Sequence, residues 1–289
     1  MHKMKNFIRT AIAFVVWLLV AIGAYAQNCT PTAADYERFP STKTLVVLDD
    51  NLFSDFNLAI KKDVKDNWTV TETAFITKKE FEKKRTDPQY SFLLTTTVTY
   101  PDDKTHTKYL YFSLIMGKNT KKVKDMPDLI SVPLAYANVD DQEEWVYKLP
   151  VIIRFMLRHV ENMTANPKLI SETPLLMYNK YSQSLADKTL YLVKSDLEKG
   201  CQTESAVAKV YPYKFKLVSQ ADVRKALEDK DDNIVILHKI GPKKNYKSRC
   251  FKMLMGAGDA SVYYFDYHTV SLKNPDALLE KDLKKIGKQ

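Results

Sequence analysis

Ile76-Thr77-Lys78-Lys79-Glu80-Phe81 and Val218-Ser219-Gln220-Ala221-Asp222-Val223 are two copies of one local pattern, and Ser219 follows Thr77 by 142 residues. In each copy a hydroxyl residue is followed three positions later by an acid, and apolar residues stand just before the hydroxyl residue and at the fourth helical position. This arrangement is a capping box with a hydrophobic staple, in which the hydroxyl accepts a hydrogen bond from the first helical turn. It predicts two helices that begin in the same way, and therefore an internal duplication.

Three further pairs of segments repeat in the same order, at separations of 145, 142 and 139 residues. They are Lys43–Leu48 with Lys188–Val193, Ser91–Thr95 with Asn233–Leu237, and Tyr111–Gly117 with Cys250–Gly256. Loop insertions produce such a drift, and the fixed order favours a duplicated fold, with chance likeness between two ordinary α/β segments as the alternative. We therefore predict an α/β (α+β) protein of two tandem related units, each with a mixed, mainly five-stranded sheet flanked by helices.

The first 26 residues have the build of a secretory signal peptide. A basic head precedes an apolar run from Thr10 to Ala26, which ends in the small residues of Ala24-Tyr25-Ala26. The run has 17 residues, the lower limit for a membrane span, so a retained anchor is the alternative. Cleavage after Ala26 would deliver a soluble mature chain to the periplasm or the extracellular space, no longer an integral membrane protein.

The mature chain divides into a first unit at residues 27–165, a connector at 166–187 and a second unit at 188–289. In the first unit, Trp68–Thr73 alternates with period two and predicts the second strand. Pro133 predicts that the last strand lies at a sheet edge, because proline cannot donate a ladder hydrogen bond. An apolar stripe predicts a long helix over Asp141–Asn162, which Pro150 should kink.

The chain is basic, with 44 Lys and Arg residues against 35 Asp and Glu residues and a formal net charge of +9. Many lysines come in doublets beside acids on predicted helices, a pattern that indicates solvated faces. Attraction to an acidic glycan or another anionic surface is the alternative. Export argues against a nucleic-acid partner.

All three cysteines, Cys29, Cys201 and Cys250, belong to the mature chain and would meet an oxidising compartment. Cys201 and Cys250 lie in the same unit and are the predicted disulfide pair, which leaves Cys29 near the N-terminus. None of the three lies in a Cys-x-x-Cys motif or at ligand spacing from a histidine. We therefore expect no metal and no cofactor.

Asp49 and Asp50 are the most suggestive candidates for chemistry, because acids that follow a sheet strand can hold a cation or act as a base. A solvated strand end is the alternative, since Lys194 and Ser195 replace them in the second unit. His238 is the third candidate, with a structural strand histidine as its alternative. The chain has no motif of a serine hydrolase, a zinc protease or a nucleotide-binding loop, so no catalytic residue is assigned beyond these candidates.

Aromatic residues alternate along Tyr109–Phe112 and Tyr263–Tyr267, where they would either stack on sugars or pack in the core. The order strand-helix-strand-helix-strand-strand in each unit resembles the amino-terminal α/β domain of the periplasmic protein TolB and the related core of CsgG-type envelope proteins. The resemblance is one of topology, without a shared motif. It implies an envelope protein that works through protein contacts and has no active site.

These observations predict a non-enzymatic exported protein of the bacterial cell envelope, with a binding or scaffold role and an unidentified envelope protein as its partner. A carbohydrate- or polyanion-binding module is the first alternative, carried by the aromatic and lysine-rich edges. A hydrolase that uses Asp49 and Asp50, with help from His238, is the second.

Overall fold

The computed structural model describes residues 29–51, 53–101, 103, 105–137, 142–181, 185–242 and 246–288. The predicted signal peptide, residues 1–26, lies outside these ranges. Within them, no helix combines the length and the apolar character that crossing a membrane requires.

Helices and strands alternate at the start of each unit, and antiparallel strands follow. The helices are α1 (Ala33–Arg38), α2 (Asp55–Asn67), α3 (Lys78–Lys84), α4 (Leu149–Ala165), α5 (Tyr178–Tyr181), α6 (Glu204–Ala208), α7 (Gln220–Asp229) and α8 (Glu280–Ile286). The strands are β1 (Lys43–Val47), β2 (Thr73–Ile76), β3 (Tyr90–Val98), β4 (Tyr109–Met116), β5 (Asp128–Tyr136), β6 (Thr189–Val193), β7 (Phe215–Val218), β8 (Ile234–Ile240), β9 (Arg249–Gly256) and β10 (Val262–Thr269).

The two sheets have the same topology. The first has the strand order β2-β1-β3-β4-β5, and the second has the order β7-β6-β8-β9-β10. In each sheet the first three strands of that order are parallel and the last two continue antiparallel. The structure therefore has two similar five-stranded α/β units, which confirms the predicted fold class.

Both predicted capping boxes are present. The Thr77 hydroxyl accepts from the backbone N–H of Glu80, and the Glu80 carboxylate accepts from the backbone N–H of Thr77 at 2.8 Å. Ser219 and Asp222 make the same reciprocal pair at the start of α7. The N-cap positions of α3 and α7 are therefore equivalent points in the two units.

The alignment of β1 with β6 by sequence is wrong by one residue. Val47 pairs with Ile76, the residue before one capping box, and Val193 pairs with Val218, the residue before the other. Val47 therefore corresponds to Val193, a separation of 146 residues rather than 145. A shift of one residue moves every side chain of a strand to the opposite face of the sheet.

One core of buried apolar side chains spans both units, and α4 lies within it. Arg154 of α4 donates to the carbonyl oxygens of Gly258 and, at 2.7 Å, Ala257 in the second unit. His238 Nε2 of β8 lies 2.9 Å from the carbonyl oxygen of Pro133 in β5. The second sheet therefore packs one face over α4 and over the edge of the first sheet.

The two boxed helices lie on different sides of their sheets relative to this core. Phe81 of α3 packs with Leu45 and Phe92 in a separate cluster on the outer face of the first sheet. Val223 and Leu227 of α7 are instead part of the core that both units share. The face that the second unit turns inward is thus the equivalent of the face that the first unit turns outward.

The sequence placed β2 too early. Trp68 is the C-cap of α2 and packs edge-on against Phe39, with ring centroids 5.9 Å apart, and β2 begins only at Thr73. The prediction failed because the alternation over Trp68–Thr73 arises from one buried indole after a helix, not from a strand that is half-buried along its length.

Pro150 begins α4 rather than kinking it. It occupies the first turn of the helix, where its missing N–H has no intrahelical partner to lose. The residues before it form short 3₁₀ turns instead of helix. Pro133, as predicted, lies in an edge strand, because β5 is the last strand of its sheet.

We expect His159 of α4 to make the protein less stable in mild acid. Its ring is fully enclosed, with Nδ1 2.8 Å from the Tyr178 hydroxyl, and burial lowers its pKa to about 4. An unfolded histidine titrates near pH 6.5, so as pH falls from there towards 4 the unfolded state takes up a proton that the folded state refuses. The histidine should therefore lower the free energy of unfolding by about 2 kcal/mol between pH 7 and pH 5.

Urea unfolding at pH 7 and at pH 5 tests this expectation, with His159→Gln as the comparison. Between pH 7 and pH 5, the free energy of unfolding should fall by about 2 kcal/mol less in the variant than in the wild type. This difference does not depend on how stable the variant is at pH 7. Asp63, whose pKa burial raises to about 6, contributes equally in both proteins and cancels. An unchanged pH dependence in His159→Gln would contradict the prediction.

Candidate functional site

A cleft of about 400 Å³ opens between the two units. The first unit lines it with the end of β5 and with the 3₁₀ turns before α4. The second unit lines it with the ends of β6 and β8 and the residues just after them, with the first residue of α7, and with Asp276. Its wall therefore belongs to both copies of the repeat.

The cleft lies where the strand order of the second sheet reverses. After β6 the chain crosses by way of α6 to β7 on one side, and after β7 it crosses by way of α7 to β8 on the other. Val207 of α6 is buried with Leu190 in a separate cluster on the outer face of the second sheet, whereas Val223 of α7 is buried in the core that both units share. Because the connections after the neighbouring strands β6 and β7 leave on opposite faces, a crevice remains at the carboxyl ends of these two strands, which is where ligands bind in open α/β sheets. The end of β8 adds to the wall of the cleft.

Lys148 is a buried cation in the wall of the cleft. Lys148 is the last residue of the 3₁₀ turn before α4, and it is 5% exposed. Its ammonium donates to the carbonyl oxygen of Leu237 at 3.4 Å, and no carboxylate of the described residues lies within 4.0 Å of it. Burial lowers its pKa, an effect that Asp196 opposes and Lys239 reinforces.

Lys239, by contrast, has carboxylate partners. Its ammonium lies 3.1 Å from Asp276 and 4.0 Å from Asp196. Burial acts to lower its pKa, but these acids, with Asp276 first, outweigh burial and raise it. The carboxylate of Asp276 also lies against Gly241, where an added Cβ would be 1.7 Å from its oxygen. Glycine is therefore required there for this ion pair.

Tyr147 contributes an aromatic surface beside Lys148. The Arg224 guanidinium lies 4.8 Å from the ring centroid and the Lys148 ammonium 5.2 Å. Burial, reinforced by Asp196, raises the pKa of the Tyr147 hydroxyl to about 12, so it is a neutral hydrogen-bonding group at physiological pH. The cleft thus combines the Lys148 ammonium, which has no close carboxylate, with the ion-paired Lys239 and the phenol of Tyr147.

The sequence candidates for hydrolysis are divided between the two units, with Asp49 and Asp50 in the first and His238 in the second. Asp49 is half-buried after β1, where its backbone N–H donates to Asn57 Oδ1 at 2.9 Å and burial raises the pKa of its carboxyl. Asp50 is exposed and pairs with Lys78 at 2.9 Å. His238, in β8 of the second sheet, is fully buried against Pro133 of the first sheet, and burial lowers the pKa of His238 to about 3. No described hydrogen bond or ion pair joins His238 to either aspartate.

The predicted disulfide is not formed. Cys201 and Cys250 are both buried free thiols, as opposed to the bonded pair that their shared unit suggested. Cys201 Sγ lies 3.8 Å from Glu198, whereas Cys250 Sγ lies 3.9 Å from the carbonyl oxygen of Ala277. Each thiol is directed at a different segment, a fact that spacing along the chain does not encode.

Cys201 belongs to a set of groups that the sequence reasoning did not connect. Its sulfur and carboxylate oxygens of Glu198 and Glu280 lie within 4.8 Å of one another, close enough to ligate one cation. Burial and the two glutamates raise the pKa of the Cys201 thiol to about 11, which opposes formation of the thiolate that binds metals. The three groups are therefore close enough to hold a cation, but the Cys201 thiol stays protonated, which disfavours metal binding.

The aromatic side chains of β4 and β10 are largely buried. Tyr109 and Phe112 are 0% exposed, and Tyr263 and Tyr264 at most 1%. They pack in the core, the alternative that the sequence left open, and cannot stack on a sugar. The carbohydrate reading therefore loses its aromatic support.

No family model, curated protein or solved structure matches this chain. The site rests on its own geometry. Sequence reasoning missed Lys148 because the helix predicted over Asp141–Asn162 made it one more polar residue inside an amphipathic helix. The one available signal was the polar run Lys194-Ser195-Asp196 directly after a strand.

Proposed function

We propose that this chain is a non-enzymatic binding protein that holds a small organic anion in the cleft between its two units. The supporting observation is Lys148, a buried ammonium whose one described hydrogen bond goes to a carbonyl oxygen at 3.4 Å. A buried cation is costly unless it is paired. A ligand carboxylate at Lys148 would supply the missing counter-charge.

The opposite side of the cleft favours a ligand that is not purely anionic. Asp196 is 26% exposed in its side chain and shares Lys239 with Asp276. Its remaining lone pairs suit a hydroxyl or ammonium group of the ligand. Hydroxy acids and amino acids carry both parts, and they are the class that we propose.

A binding role fits the cleft better than a catalytic one. The described residues that line it include neither histidine nor cysteine, the usual partners in nucleophile–base pairs. Export to the cell envelope, which the N-terminal segment predicts, is part of the proposal. Such a protein would meet its ligand outside the cytoplasm.

Two exposed apolar side chains support the proposal of a protein partner in the envelope. Phe53, before α2, is 84% exposed, and Leu58 within α2 is 58% exposed. Phe53 lines a second depression, of about 470 Å³, that shares Tyr136 and Trp145 with the cleft. The protein contacts implied by the TolB-like topology are accordingly proposed here.

Replacing Lys148 by methionine should abolish most of the affinity for the ligand. Isothermal titration with lactate, glutamate, acetate and inorganic phosphate measures it, and we expect at least one carboxylate to bind the wild type. Loss of a charged hydrogen bond costs about 1.5–3 kcal/mol, so the variant should bind that acid about 10- to 100-fold more weakly. Affinity should also fall as pH rises, starting below the pH at which an ordinary lysine deprotonates, because the pKa of Lys148 is lowered.

Lys194→Met is the matched control, because Lys194 is exposed beside the cleft but does not line it. It should leave the affinity unchanged. The proposal would be wrong if the wild type bound none of these acids, or if Lys148→Met bound the same acid as tightly as the wild type.

A further inference from the structure

A dense group of lysines covers one end of the first unit, on α3 and on the loop between β4 and β5. We call it the lysine face: Lys79, Lys83, Lys84, Lys118, Lys121, Lys122 and Lys124. All of them are exposed except Lys84, which is half-buried with its ammonium 5.0 Å from the Tyr90 ring centroid. The lysine face lies apart from the cleft and shares no residue with it.

Arg85 fixes the geometry of the lysine face. Its guanidinium donates to the carbonyl oxygens of Thr120 and Lys121, each at 2.9 Å, and its own carbonyl accepts from the Lys118 N–H at 3.1 Å. The Arg85 side chain is only 13% exposed. The helix end and the loop are therefore held together as one surface.

The lysine face keeps a net positive charge, because its seven lysines and Arg85 outnumber the four acids of the same segments, Glu80, Glu82, Asp87 and Asp125. Among the described residues, none of its seven lysines has a carboxylate within 4.0 Å. The nearby acids have other partners. Glu82 pairs with Arg85 at 2.8 Å, and Glu80 closes the capping box with Thr77. Asp87 accepts from the Gln89 N–H at 3.0 Å and Asp125 from the Thr120 hydroxyl at 3.4 Å. The lysines are thus free to meet an external anion.

The chain enters the fold at the same place. The backbone N–H of Cys29 donates to the carbonyl oxygen of Lys124 at 2.9 Å, and its thiol lies 3.7 Å from the Lys118 ammonium. The apolar run Thr10–Ala26 ends three residues before Cys29. A bilayer that receives this run during export, or retains it, therefore lies next to the lysine face.

We propose that the lysine face binds the surface of a bilayer that contains anionic lipid headgroups. The charge supplies the complementarity, and the entry point of the apolar run supplies the orientation. Each lysine close to an anionic bilayer strengthens binding about fivefold, and the effect decays within a Debye length. The affinity is therefore multiplied by each further lysine and weakens with salt.

Vesicle co-sedimentation tests the proposal. The protein is purified as its producing cells deliver it, with its N-terminus determined by mass spectrometry, and mixed with vesicles of phosphatidylcholine or of phosphatidylcholine with phosphatidylglycerol. We expect selective binding to the second kind. The variant Lys121→Gln/Lys122→Gln/Lys124→Gln should bind these vesicles about 100-fold more weakly than the wild type at low salt.

The control variant Lys61→Gln/Lys65→Gln/Lys216→Gln removes the same charge from exposed positions elsewhere. It should keep most of the binding, and both variants should unfold at the wild-type temperature. Equal losses in the two variants would show that only net charge matters and would overturn the proposal. Tighter, lysine-face-dependent binding to soluble heparin than to the vesicles would assign the surface to a soluble polyanion instead, and would also overturn it.

Discussion

We expect Asp282→Ala to lower the free energy of unfolding by about 3–5 kcal/mol. Asp282 of α8 accepts from the Lys252 ammonium at 2.8 Å, and the two side chains are 5% and 1% exposed. Removal of the carboxylate leaves the ammonium of Lys252 inside the protein with only His268 Nδ1, 3.0 Å away, as a described partner. The same carboxylate also accepts from the backbone N–H of Leu279 at 2.9 Å, so the start of α8 loses a hydrogen bond.

Chemical denaturation measures this loss, and two comparisons identify its cause. Glu280→Ala removes an acid of the same helix whose ion pair with Lys284 is exposed, and it should cost at most about 1 kcal/mol. The double variant Lys252→Met/Asp282→Leu removes both buried charges and should recover most of the stability. An Asp282→Ala protein within about 1 kcal/mol of the wild type would refute a desolvated pair here.

Phe251→Ala should be about as damaging, with an expected loss of about 3–5 kcal/mol. The Phe251 ring packs edge-on against Tyr109 of the first unit, with centroids 5.3 Å apart, and lies 5.7 Å from Tyr267 of the second. The side chain is 2% exposed, so its deletion leaves a cavity at the boundary between the units. The loss of stability should therefore come from weaker packing between the two units.

Calorimetry of Phe251→Ala and Phe81→Ala separates this contact from burial alone. Phe81 is 5% exposed but packs only within the outer cluster of the first unit. We expect the wild type and Phe81→Ala to unfold in one transition, because one core spans both units. In Phe251→Ala the transition should broaden or split, and a sharp transition at the wild-type temperature would count against a shared core.

The features that the sequence predicted well are those that local chemistry determines. Thr77 with Glu80 and Ser219 with Asp222 need only four consecutive residues to form a capping box, and both boxes are present. The position of Pro133 in an edge strand follows in the same way, from one missing N–H. Local patterns of this kind also predict the order of helices and strands along the chain, and that order predicts the fold class.

The sequence could not determine which face of each sheet turns inward. Leu45, Val46 and Val47 are all buried, so their strand shows no alternation that would mark an inner side. The match with Lys188–Val193 was therefore free to slip by one residue. Tertiary packing decides the register of β6. Tyr191 packs against the core that both units share, whereas Leu190 packs in the cluster on the outer face of the second sheet.

The candidate site was beyond sequence reasoning for a related reason. Lys148, Asp196, Lys239 and Asp276 come from four separated segments, and only the packing of one unit on the other makes a cleft of them. Asp49 and Asp50 stood out because they are adjacent in the chain, which says nothing about what faces them. Proximity in space, not in sequence, defines the cleft.

The opposite placement of α3 and α7 means that the two units stack head to tail, like consecutive members of a solenoid, and not about a two-fold axis. Such a stack is open, with one terminal surface at each end that no repeat covers. Solenoids keep their terminal surfaces polar, which prevents further growth. The charged residues of α3 on one end, and those of α8 on the other, would then serve as stops that hold the array at two members.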